Sequence, residues 1–70
     1  MERYAIVVEW AGKNYSAYVP DLPGCVATAK SRTEVEHLIR EAIQLHLAGM
    51  REDGLPIPEP SSTVITVQVA

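Results

Sequence analysis

The segment Tyr15-Ser16-Ala17-Tyr18-Val19-Pro20-Asp21-Leu22-Pro23-Gly24-Cys25 leaves few folds open, because an alternating run stops at a corner written with two prolines, an aspartate and a glycine. Alternation of Tyr15, Ala17 and Val19 against Ser16 and Tyr18 is the period-2 pattern of a strand. Pro20 has no backbone N–H, so that strand cannot continue through a sheet interior. Asp21, Pro23 and Gly24 supply turn chemistry: an acceptor for nearby backbone, a preset φ, and tolerance of positive φ. Cys25-Val26-Ala27-Thr28-Ala29 is extended again, so the corner joins two strands.

Around that corner the chain reads in order. Residues 3–10 are rich in β-branched and aromatic side chains and form strand one, with Tyr4, Ile6, Val8 and Trp10 on one face and Ala5 and Val7 on the other. Ala11-Gly12-Lys13-Asn14 has the composition of a hairpin loop. Strands one, two and three are thus an antiparallel meander. Ser31-Arg32-Thr33-Glu34 is a capping box. It is followed by Val35, Leu38, Ile39, Ala42, Ile43, His46 and Met50 at helical spacing, with Glu36, Arg40, Glu41, Gln44 and Arg51 elsewhere on the wheel. The helix is expected to end near residues 51–53 with Gly54 in the left-handed conformation, or near Ala48 if Gly49 breaks it.

Leu55-Pro56-Ile57-Pro58-Glu59-Pro60 repeats proline at every second position, which forbids helix and favours a stiff extended connector. Residues 63–69 alternate again, Ile65, Val67 and Val69 against Val64, Thr66 and Gln68, and read as strand four. A right-handed helical crossover lays that strand beside strand one and parallel to it. The expectation is an α+β fold, β-β-β-α-β, with a four-stranded mixed sheet of order 3-2-1-4 and one helix on one face. A single helix leaves the other face uncovered, and a partner is expected there or at an open edge.

Composition narrows the function classes. A chain of 70 residues is one domain and buries only about 60 % of its unfolded surface, so self-association is a natural aid to stability. One cysteine and two histidines allow no internal disulfide and no structural zinc signature. The net charge is −3 and the pI near 5.2; the six Lys and Arg are scattered, without the basic stripe of a nucleic-acid reader. The start Met1-Glu2-Arg3-Tyr4 lacks a secretory signal and no apolar run is long enough for a membrane span, which points to a cytoplasmic protein.

Glu9-Trp10 before a short loop, the run Tyr15-x-Ala17-Tyr18-x-Pro20-Asp21-Leu22-Pro23-Gly24-Cys25, the helical Arg40-Glu41-Ala42-Ile43 and the exit Asp53-Gly54-x-Pro56-x-Pro58 resemble the N-terminal domain of HicB-type antitoxins. The resemblance implies a partial RNase H-like fold. It also implies a partner, the small toxin HicA, an mRNA-cleaving enzyme of double-stranded-RNA-binding fold that such a domain binds and masks, together with homo-oligomerisation as a dimer or tetramer. Full-length members commonly add a C-terminal DNA-binding module. No recognition helix is found here, so residues 1–70 are expected to form a single domain without operator binding or direct nucleic-acid contact.

An RNase H-like fold raises the question of hydrolysis. Two-metal chemistry needs several converging carboxylates, and Glu9 with Glu34, Glu36 or Glu41 meets only Thr66 and Gln68 from strand four. The expectation is a binding module without catalytic residues, metal or cofactor; the alternatives are a degenerate RNase H-like hydrolase and a solitary homo-oligomer without a toxin. Partner-binding candidates are Tyr18, Asp21, Leu22 and Pro23. Tyr18 reads equally as interface or core, and Asp21 as turn residue or toxin-contacting carboxylate. His46 reads as a satisfied core or interface histidine, or as a base or pH-sensitive interface group. His37 with Glu41 reads as a solvated pair or two weak metal ligands, and Cys25 as a buried strand residue or a nucleophile wanting a base.

Overall fold

Three antiparallel strands lead into one helix: β1 Val7–Trp10, β2 Tyr15–Tyr18, β3 Val26–Ala29 and α1 Arg32–Glu52. The computed structural model describes residues 3–70; Met1 and Glu2, half of the start read above, lie outside the described residues. The sheet has the order β1-β2-β3. Its register places Val8, Ala17 and Ala27 in one row and Val7, Tyr18 and Val26 in the next. The meander is as expected, although β1 is shorter than the run of residues 3–10.

The corner after β2 consists of two consecutive turns. The Leu22 amide donates to the Val19 carbonyl at 3.0 Å, with Pro20 and Asp21 between, and the Cys25 amide donates to the Leu22 carbonyl at 3.1 Å, with Pro23 and Gly24 between. In the second, proline presets the first central φ and Gly24 takes φ +84, the requirement of a type II turn. The Val19 amide closes the corner onto the Cys25 carbonyl at 3.3 Å. This double reversal turns the Leu22 side chain inward, where it is fully buried.

Both helix ends follow the sequence chemistry. Ser31 is the N-cap, and its hydroxyl accepts the Glu34 amide at 3.1 Å. At the other end Gly54 has φ +69; its amide reaches the Arg51 carbonyl at 3.1 Å, and the Leu55 amide reaches Met50 at 2.9 Å. Those two bonds constitute a Schellman motif. Helix α1 therefore runs through Gly49 rather than ending before it.

The core is Ala17, Val19, Leu22, Cys25, Val35, Ile39 and Leu47, with Tyr4, Ile6, Val8, Ile43, Met50 and Ile57 packed around it. Leu47 is a core residue that the expected stripe omits. Leu38, placed in that stripe, is 38 % exposed, and His46 is half-buried.

The fourth strand is not formed. Residues 55–70 hold no strand, so the described sheet is three-stranded and wholly antiparallel rather than mixed with the order 3-2-1-4. Residues 63–69 keep a strand's composition, but a strand exists only through its ladder, and the sheet gains no partner beyond β1. Ile65, Val67 and Val69 are 78, 73 and 84 % exposed. The projecting segment accounts for a radius of gyration of 13.5 Å, where a compact domain of this length has about 11 Å.

Candidate protein-binding surface

Side chains alternate across a strand, so the register divides the sheet into two faces. Val8, Ala17 and Ala27 share the row packed under α1, since Ala17 is fully buried and the other two pack against the core. Val7, Tyr18 and Val26 share the next row and point to the opposite face, which no described element covers. Tyr18 is 40 % and Val26 63 % exposed. Glu9, Ser16 and Thr28 form the polar row beside them. An apolar band crosses all three strands here, with an aromatic ring at its centre, and it ends against the corner where Pro20 and Pro23 are exposed.

The corner has a second role, which belongs to Asp21. Its Oδ2 accepts the backbone amides of Ser61 at 2.9 Å and Ser62 at 3.0 Å. Its Oδ1 accepts the two serine hydroxyls, at 3.0 Å from Ser61 and 2.8 Å from Ser62. Four donors around an ionised carboxylate favour the charged form. The Ser62 and Ser61 amides, ahead of the hydroxyls, hold the Asp21 carboxyl down at about 2. Nearby, the Tyr4 hydroxyl donates to the Pro58 carbonyl. The proline segment is thereby fastened to the body at two points.

Of the four partner-binding candidates, the structure brings Tyr18 and Pro23 to the surface at the uncovered face and its rim. Asp21 lies in the same corner with both oxygens occupied by Ser61 and Ser62. Leu22 is fully buried and offers a partner nothing in this conformation. The sequence reading missed the flanking Val7 and Val26, which only the strand register aligns with Tyr18. It also missed Ser61 and Ser62, which no local spacing links to an aspartate 40 positions earlier.

The remaining chemical candidates separate from one another. Cys25 is 3 % exposed, and burial pushes its thiol up, the opposite of what a nucleophile needs. His37 Nε2 lies 2.7 Å from Glu41 Oε1 on the exposed helix surface. Glu36 pairs with Arg32 at 3.1 Å on the same helix, whereas Glu9 lies on the sheet face turned away from it. Among the described residues no three His, Cys, Asp or Glu side chains group as a metal site. No helix among them is long and apolar enough to cross a membrane.

Known proteins resemble the chain over most of its length. The HicB-like antitoxin family of bacterial toxin-antitoxin systems matches residues 4–69. A UPF0150 protein of Helicobacter pylori is 35 % identical over 65 residues, covering 91 % of this chain and 90 % of its own length. A UPF0150 protein of Archaeoglobus fulgidus is 42 % identical over 55 residues, covering 74 % and 80 %. An uncharacterized 14.9 kDa protein from the rep-hol intergenic region of Haemophilus phage HP1 is 36 % identical over 56 residues; these are 80 % of this chain but 42 % of the phage protein. No solved structure matches the chain. The HicB-like family is one of non-enzymatic antitoxin modules. With nearly its whole length matched, the chain belongs to the HicB-like antitoxin family of bacterial toxin-antitoxin systems.

Proposed function

We propose that this domain masks a small HicA-type, mRNA-cleaving toxin by laying its uncovered sheet face over the toxin's active surface. The observation that carries this reading is the apolar row Val7, Tyr18 and Val26 crossing the sheet, in a chain of an antitoxin family. Interface cores favour an aromatic anchor surrounded by smaller apolar contacts and bordered by polar groups. Tyr18 is the anchor, Val7 and Val26 flank it, Pro23 forms the rim, and Glu9, Ser16 and Thr28 supply the polar border. Asp21 acts indirectly, by fixing the shape of that rim.

In this reading the domain works in the cytoplasm as one unit over residues 1–70, associates with copies of itself, and touches no nucleic acid. Pairing of residues 63–69 along β1 would give the order 3-2-1-4 of a partial RNase H-like fold. The test is co-purification from the native cell of any small basic protein encoded beside this chain, followed by mRNA cleavage with and without this chain. Capture of the toxin with loss of cleavage is the expected result. A neighbour that cleaves RNA and is neither bound nor inhibited would overturn the proposal.

A further inference from the structure

Residues 63–69 are the part of the molecule whose chemistry is least satisfied by its surroundings. Val64, Ile65, Val67 and Val69 are 61, 78, 73 and 84 % exposed, and the segment contains no charged residue. Contiguous exposed apolar surface of this kind marks an interaction site. Alternation of β-branched residues specifies a strand rather than a helix.

We infer that residues 63–69 pair along the open edge of β1 in a second copy of this chain, each copy's segment completing the other's sheet. This deepens the self-association in the proposed function and does not depend on the toxin.

Three observations select that occupant. First, β1 is hydrogen-bonded to β2 alone among the described strands. Its sequence Val-Val-Glu-Trp carries neither the proline nor the lysine that commonly guards an edge. Second, the root of the segment is fastened to Tyr4, three residues before β1, through Pro58, and to Asp21 in the corner after β2 through Ser61 and Ser62. Beyond it the backbone leaves its own sheet. Pro56, Pro58 and Pro60 stiffen the approach to that anchor, and residues 63–69 beyond it stay exposed and unpaired with their own sheet, open to a neighbour's edge. Third, the same unpaired strand and the same unpaired edge occur in every copy, so a two-fold axis satisfies both at once. Exchange of an identical element is a low-cost route to a closed dimer.

The test uses the full chain. Light scattering reports its mass, and nuclear Overhauser contacts between residues 64–68 and β1 are recorded in a mixture of differently labelled copies. The expected result is a mass twice the 7.7 kDa of one chain, with those contacts present between unlike labels. The double variant I65K/V67K, at two exposed positions, should be monomeric with unchanged helical circular dichroism. A monomer with a mobile segment would overturn the inference. So would contacts found only within one chain, or a dimer that meets through β3 or Tyr18 while residues 63–69 stay mobile. These last outcomes leave toxin masking untouched.

Discussion

Asp21 Oδ2 accepts the backbone amide of Ser62 at 3.0 Å, from a residue 41 positions later in the chain. The corner that reverses β2 thus also holds the segment that follows the helix. A turn aspartate ordinarily satisfies nearby backbone; this one serves a distant strand of chain instead. With Asp21→Ala the Ser61 and Ser62 amides lose their acceptor, and their hydrogen exchange should rise by about tenfold or more, given the strength of bonds to charged acceptors. Ile39 on the helix should keep its protection. Exchange measured by NMR on the two proteins checks both halves.

The same carboxylate gives the fold an acid dependence. Its pKa falls from 3.8 to about 2 in the folded chain, chiefly through the Ser62 and Ser61 amides. A carboxyl with a depressed folded pKa contributes stability that is fully present above the unfolded value and is lost as pH falls through the folded one. The window therefore runs from about pH 4 down to about pH 2. Carbon chemical shifts of the Asp21 carboxyl should titrate near the lower limit, with the Ser61 and Ser62 amide signals moving in step. A midpoint near the ordinary aspartate value would disprove the clamp.

Gly24 tests the turn itself. A Cβ there would meet nothing within 4 Å, yet the backbone sits at φ +84, so the penalty for a side chain is conformational rather than steric crowding. Gly24→Ala should destabilise by about 1–2 kcal/mol, the usual left-handed penalty. Gly24→Asn should lose less, because asparagine tolerates that region. Urea unfolding of both variants with an unchanged slope would report the loss as a change in stability alone.

The core predicts a contrast between leucines that sequence hydrophobicity cannot separate. Leu22 is fully buried within the corner, and Leu45 is 75 % exposed on α1. Leu22→Ala removes packed methyl groups and leaves a cavity, and should cost about 2–5 kcal/mol. Leu45→Ala should change stability by less than about 0.5 kcal/mol. Thermal unfolding monitored by circular dichroism distinguishes them directly.

What was legible beforehand follows from the range of each interaction. The meander, the Ser31 cap, the Gly54 helix end and the double-proline corner are local codes written within a few residues, and each is found in place. The burial of Leu22, the bonds from Asp21 to Ser61 and Ser62, and the alignment of Val7 and Val26 with Tyr18 depend on positions far apart in sequence. No periodicity encodes them. Residues 63–69 carry the pattern of a strand, but pairing is a property of two strands, and the second one is not specified by the first.

Tyr18 supplies the sharpest test of the binding surface because its two sequence readings, core and interface, predict opposite behaviour. It is 40 % exposed and sits between Val7 and Val26 on the face turned away from α1. A core tyrosine would destabilise the fold on truncation. An interface anchor would leave the fold intact and weaken the complex, commonly by about tenfold or more for an aromatic hot spot. Tyr18→Ala should therefore shift the unfolding midpoint little while markedly weakening toxin binding in titration calorimetry. Val26→Lys, on the same row, should reproduce the loss by placing a charge in the apolar band. Thr28→Ala, in the polar border, should have a small effect. Equal losses at all three positions would indicate a general fold defect rather than an interface centred on Tyr18.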